Sequence, residues 1–176
     1  MDRRRFLTLA GRAIRGIVGV ALGVPALGFL AAPLRRRRDR SEYIRLTALD
    51  AVPRDRPVSV SVTADARDAF THYPPGPIGT VWLVGSERDD EAVRCFQAVC
   101  PHLGCLIDYS ASDGAFQCPC HASGFDLHGR RQFGPSPRDM DDLPVRVSEP
   151  DDRGRRWVEV AYREFQTGVA DKRPIA

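Results

Sequence analysis

The chain predicts an all-β fold, an antiparallel sandwich of short strands, preceded by one N-terminal transmembrane helix. Three observations carry this. Short segments alternate apolar and polar residues with a period of two, most plainly Val58-Ser59-Val60-Ser61-Val62, as half-buried strands do. Beyond residue 42 no segment keeps a helical period, and glycines, prolines and charged clusters punctuate the chain. Residues 16–34, in contrast, form a run of 19 without a charge. As a helix rising about 1.5 Å per residue, such a run comes close to the ~30 Å hydrocarbon core of a bilayer.

The N-terminus reads Met1-Asp2-Arg3-Arg4-Arg5-Phe6-Leu7, which contains an Arg-Arg-x-Phe-Leu pattern read as a twin-arginine export signal. Residues 1–34 are therefore signal and transmembrane anchor together. Pro25, near the middle of the apolar run, predicts a kink. Pro33 follows Ala32 and discourages cleavage there, so the anchor is expected to be retained. The arginines at 35–38 then fall on the exported side, against the positive-inside tendency. Residues 35–42 are read as a hinge or linker, 43–166 as the head and 167–176 as a polar C-terminal tail. The formal charge of +3 hides an asymmetry: residues 1–40 hold ten arginines against Asp2 and Asp39, whereas residues 41–176 hold sixteen basic and twenty-one acidic groups. The basic excess belongs to the leader, so no nucleic-acid partner is expected, and an acidic head suits docking among proteins.

Within the head, residues 43–47 read as a first strand and 57–62 as a second with its valines facing a core. Tyr73-Pro74-Pro75-Gly76-Pro77 reads as loop or turn, with His72 beside it a surface histidine. Residues 80–84, including Trp82, and 92–98 read as strands flanking a polar turn at 86–91. Cys95 shares a face with Val93 and is expected to be a buried, inert thiol. Residues 115–117 form a short strand. Residues 124–127 and 131–133 make a hairpin turning at His128-Gly129-Arg130, with His128 a turn residue rather than a ligand. Residues 143–147 and 157–161 form a last alternating pair joined by a charged turn.

Between these strands lies the densest chemistry in the chain. Cys100-Pro101-His102-Leu103-Gly104-Cys105 is followed, twelve residues later, by Cys118-Pro119-Cys120-His121-Ala122-Ser123. Four of the five cysteines and two of the four histidines fall in these 24 residues. Each arm supplies one thiol and one imidazole at close spacing, Cys100 with His102 and Cys118 with His121. Two thiolates and two imidazoles suit either a tetrahedral zinc or an iron–sulfur cluster. Zinc sites usually pair like with like at short spacing. The mixed arms suit a cluster in which one iron takes both thiolates and the other both imidazoles, an arrangement that raises the reduction potential. A zinc-stabilised exported binding module is the competing reading. Cys105 and Cys120 remain, one on each arm; a bond between them would need an oxidising compartment.

Cys-x-His-Leu-Gly-Cys with Cys-Pro-Cys-His-x-Ser resembles the high-potential Rieske proteins of cytochrome bc-type quinol oxidoreductases, over roughly residues 43–165. The resemblance implies a Rieske-type antiparallel β-sandwich with cluster-binding loops at one tip. It implies one [2Fe–2S] cluster held by Cys100, His102, Cys118 and His121, a Cys105–Cys120 disulfide, and a Ser123 hydroxyl donating to a cluster sulfide. Gly134-Pro135-Ser136-Pro137 matches the proline-rich loop that covers the cluster. Leu103 and Pro135 would contribute to an apolar rim around the exposed histidines. There are two departures. Ala122 stands where a glycine is usual, a change expected to matter little. Phe125 stands where respiratory members often carry a tyrosine that donates to a ligand sulfur; its absence implies a lower potential, suited to menaquinol.

Taken alone, the residues indicate an electron carrier, with no nucleophile–base pair and no phosphate loop. The resemblance adds the rest: a subunit of a quinol–cytochrome c oxidoreductase, in which His121 takes a hydrogen bond and then a proton from quinol. The electron passes to a c-type cytochrome, beside a cytochrome b-type subunit. The head would stand on the exported, periplasmic or outer side of the membrane and swing on its hinge. The chief alternative is the Rieske small subunit of a periplasmic molybdenum oxidase such as arsenite oxidase, which would touch no quinol.

Overall fold

The structure, a computed structural model, describes residues 2–35, 43–67, 71–86 and 93–175. Most of the expected hinge at 35–42 and of the polar turn at 86–91, and the side chain of His72, lie outside the described residues. The chain divides into two compact units, an N-terminal helix and the head. Helix α1 (Arg3–Arg35) has 33 residues, and Pro25 lies within it without ending it. Apolar side chains such as Leu22, Phe29 and Leu30 are open on its surface. It is long and apolar enough to cross a membrane.

The head consists of β1 (Ile44–Ala48), β2 (Val58–Arg67), β3 (His72–Gly85), β4 (Val93–Gln97), β5 (Asp108–Ser110), β6 (Ala115–Cys118), β7 (Ser123–Phe125), β8 (Arg131–Phe133), β9 (Val145–Val147) and β10 (Trp157–Val160). These form three sheets, ordered β1-β10-β9, β2-β3-β4 and β5-β6-β7-β8, with antiparallel pairing throughout. The second sheet holds the head together because its β3–β4 part is buried on both faces. Successive side chains of a strand point to opposite sides. In the β3–β4 register Leu83 lies opposite Cys95, and Trp82 opposite Phe96. Val81, Leu83 and Cys95 therefore join Val62, Leu143, Val158 and Val160 in a first core, to which Ile44 and Leu46 also pack. On the other face Phe96, with Trp82 and Val84 packed alongside, joins Ile107, Phe116, Phe125 and Met140 in a second core. Trp82 and Phe116 have ring centroids 5.5 Å apart, and the Trp82 indole N–H donates to the Ile107 carbonyl at 2.9 Å. Each large side chain fully buried here contributes about 1.5–3 kcal/mol. The expected sandwich is the first core; the third sheet is laid on its far side.

One expectation is overturned. The Tyr73-Pro74-Pro75-Gly76-Pro77 stretch is not a loop but the first part of β3, with Tyr73 opposite Ala66, Gly76 opposite Ala64 and Pro77 opposite Thr63. Pairing of β3 with β4 runs only from Val81 to Gly85, so among the described residues the proline-rich part has a single strand neighbour. An edge tolerates proline because an N–H on the open side has no ladder bond to make. Two register shifts in the β2–β3 pair, at Val62/Thr63 and Ala64/Ala66, absorb the irregularity. Strand β5, which had no clear alternation in the sequence, is an addition.

Candidate metal centre

Two loops leave the second core side by side. The first follows β4 and is closed at its base by a Val99–Leu106 bridge. Inside it the Cys100 N–H donates to the Cys105 carbonyl at 2.8 Å and the Gly104 N–H to the Cys100 carbonyl at 3.0 Å. The second is the tip of the β6–β7 hairpin, where Cys118 lies opposite Ser123 and the Ala122 N–H donates to the Cys118 carbonyl at 3.1 Å. A Cys105–Cys120 disulfide ties the two loops together. The proline-rich segment after β8 closes over them: the Ser136 N–H donates to Ser123 Oγ at 3.1 Å. Gly134, at φ +89°, permits this approach, since a Cβ there would stand 2.5 Å from the Ala122 carbonyl oxygen and the Ser123 Cα.

The expected ligand residues meet in two like pairs, the Cys100 and Cys118 thiols with each other and the His102 and His121 rings with each other. Cys100 and Cys118 carry free thiols with 0% and 2% of the residue exposed. Burial pushes the Cys100 thiol up and the adjacent Cys118 adds to this, while the nearby His102 backbone N–H and Ser123 hydroxyl pull the other way. The His102 and His121 rings stand 4.8 Å apart, nearly perpendicular at 87°. His121 is exposed and His102 half-buried, and His102 Nδ1 is a buried nitrogen without a hydrogen-bond partner. The sulfurs of Cys105, Cys118 and Cys120 lie within 4.8 Å of one another, but two of these are bonded together, so only Cys118 of the three offers a thiol.

This donor set fits a group that takes two thiolates and two imidazoles. The disulfide removes the surplus sulfurs, and an orphaned buried imidazole nitrogen is what a metal would satisfy. A cation here would also reverse the Cys100 thiol's preference for the neutral form. Leu103 is 63% exposed at the same tip, and Pro135 is exposed on the covering segment. Phe125 is fully buried in the second core opposite Phe116. Ala122 adopts φ +55°, the only positive φ of a non-glycine among the described residues, so the alanine is not neutral for the backbone as expected.

Other residues singled out in the sequence lie elsewhere. Cys95 is in the first core, where burial pushes its thiol up to about 12. His128 sits in a turn whose N–H groups, its own and that of Arg130, donate to Asp126 Oδ1 at 2.8 and 2.9 Å. Sequence reasoning missed the C-terminal segment, read as a polar tail. Its Gly168 N–H donates to the Pro101 carbonyl, between Cys100 and His102, at 2.8 Å. That link is a backbone hydrogen bond, which every residue type but proline can donate, so it leaves little residue-type signal.

Comparison with known proteins agrees with this geometry. The Rieske [2Fe-2S] domain family matches residues 45–146. The cytochrome b6-f complex iron-sulfur subunit of Nostoc punctiforme is 30% identical over 177 residues, covering 97% of this chain and 91% of that protein. The corresponding subunit of Synechococcus sp. (strain JA-3-3Ab) is 28% identical over 167 residues, covering 93% and 92%. Among solved structures, the cyanobacterial plasma membrane Rieske protein from Synechocystis PCC 6803 matches with 23% identity and a TM-score of 0.39, covering 56% of this chain and 84% of that one. With more than half its length matched by the family, and paired thiols and imidazoles at a disulfide-tied tip, the chain belongs to the Rieske [2Fe–2S] family and is an electron-transfer protein.

Proposed function

We propose that the chain is the high-potential Rieske subunit of a bc-type quinol–cytochrome c oxidoreductase, with Cys100 and Cys118 on one iron and His102 and His121 on the other. The observation that carries this is the pair of adjacent free thiols and the pair of imidazoles in ring contact at the same tip, with a buried, unsatisfied Nδ1 on half-buried His102. When bound, the cluster supplies one-electron chemistry between a quinol and a c-type cytochrome. The protein's own groups do the rest. His121, exposed at the tip, accepts the hydrogen bond of a quinol hydroxyl and then its proton. Leu103 and Pro135 give the quinol ring an apolar rim and keep water from that hydrogen bond. The Ser123 hydroxyl, buried beneath the covering segment, would donate to a cluster sulfide and so favour the reduced, more negative state.

The N-terminal segment fits this role. The twin-arginine leader would export the head already folded and loaded. Helix α1 would stay as the anchor, residues 35–42 would serve as the hinge or linker, and the head would stand on the exported side among a cytochrome b-type subunit and the acceptor.

Replacement of His121 by alanine tests the reading. The mixed-ligand EPR signal of the reduced protein and quinol–cytochrome c reductase activity are expected to disappear together. Quinol turnover that survives the change would overturn the role of His121. Co-purification of b-type haem is expected on detergent extraction of membranes; a molybdenum centre in its place would assign the chain to a periplasmic oxidase.

A further inference from the structure

We propose that Arg138 is a positioning residue for the cluster site, clamping the covering loop and the C-terminal segment onto one buried carboxylate. The inference rests on the reading that Cys100, His102, Cys118 and His121 hold the cluster. The side chain of Arg138 is only 9% exposed and that of its partner Asp141 3%. The pair is a two-pronged fork: Nε donates to Oδ1 at 2.9 Å and Nη2 to Oδ2 at 2.7 Å. The remaining donors reach across to the C-terminal segment, Nη2 to the Gln166 carbonyl at 2.9 Å and Nη1 to the Val169 carbonyl.

What makes this more than a buried ion pair is where each connection ends. The Arg138 carbonyl accepts from Ser136 Oγ at 2.8 Å, and the Ser136 N–H in turn donates to Ser123 Oγ at 3.1 Å. Ser123 lies two residues beyond His121 and opposite Cys118 in the hairpin register, so it fixes the second ligand-bearing loop. Between the two C-terminal carbonyls held by the guanidinium lies Gly168, whose N–H holds the Pro101 carbonyl at 2.8 Å. Asp141 is itself fixed, because its carbonyl accepts from the Gln97 N–H at the end of β4 at 2.8 Å. One planar cation thus connects a rigid strand to both ligand-bearing loops, one through Ser136 and Ser123, the other through Gly168 and Pro101. Lysine keeps the charge but has one nitrogen, so it cannot hold the carboxylate and two carbonyls in fixed directions.

The test uses the full-length, cluster-loaded protein in detergent, as wild type, Arg138→Lys and Arg138→Gln. In both variants amide exchange at Ser136 and Gly168 is expected to rise about tenfold or more together. The midpoint potential is expected to fall in Arg138→Lys although the charge is kept, because a loosened Ser136 no longer fixes the Ser123 hydroxyl that the cluster reading directs at a sulfide. Lys172→Ala, which removes a surface contact of the C-terminal segment with Asp142, is expected to change neither. Unchanged exchange and potential in a loaded Arg138→Lys protein would overturn the inference, as would an equal effect of Lys172→Ala. So would failure of both Arg138 variants to fold by circular dichroism, which would mark a fold-wide role. Absence of a mixed-ligand EPR signal in the wild type would overturn instead the ligand reading on which it rests.

Discussion

Ala122 sits in a left-handed backbone conformation, φ +55°, between His121 and Ser123. A side chain there costs roughly 1–2 kcal/mol, and glycine relieves this while losing about 0.4–1 kcal/mol of unfolded-state advantage. Ala122→Gly is therefore expected to raise unfolding free energy by about 0.5–1 kcal/mol in urea titrations. Phe125, a neighbour in the same hairpin, is fully buried and brings no hydroxyl to the site. Phe125→Tyr is expected to raise the midpoint potential, read by redox titration followed by EPR; no upward shift would remove the argument that this chain is tuned low. Cys95 titrates in a different way. Burial lifts its folded pKa from 9.0 to about 12, so the folded state favours the neutral thiol. That contribution is complete below pH 9 and is lost as pH rises toward 12, at about 1.4 kcal/mol per pH unit. Cys95→Ala is expected to flatten the alkaline fall in stability across that window, and native wild type to resist maleimide at pH 8 until unfolded.

At the level of elements, the two ligand-bearing loops belong to different parts of the third sheet's framework, one entering β5 and one turning between β6 and β7. The Cys105–Cys120 bridge closes a separation of 15 residues, which by chain-entropy arguments is worth about 3 kcal/mol. The double change Cys105→Ser with Cys120→Ser is expected to lower the urea midpoint accordingly and to speed loss of the visible and EPR signals on dilution. A stability unchanged in that variant would show that the loops are held by packing and by the covering segment alone. The strands show how far local pattern reaches. The valine–serine alternation of β2 was readable because one face of that strand meets a core and the other solvent. The prolines of β3 misled because turn chemistry and an unpaired sheet edge ask for the same residues.

The whole molecule joins a long apolar helix to a head built on a sheet whose β3–β4 part packs into a core on each side. Helix α1 exposes its apolar side chains, and as an anchor it would bury them in lipid. The full chain is expected to remain with membranes through a sodium carbonate wash and to be released by detergent. Release by carbonate alone would contradict a retained anchor. The head's acidic excess, sixteen basic against twenty-one acidic residues, leaves any lipid attraction to the arginines of the leader.

What the sequence determined by itself was the chemistry and its carrier. Metal ligands must be particular residue types at short spacing, and a bilayer demands an apolar run of set length, so both are written locally. The tertiary structure alone decided that Ala122 is left-handed, that the proline stretch is an edge, that one sheet serves two cores, and that Arg138 binds carbonyls 28 and 31 residues away. These are contacts between distant segments, made largely by backbone groups that every residue carries, and no local period records them.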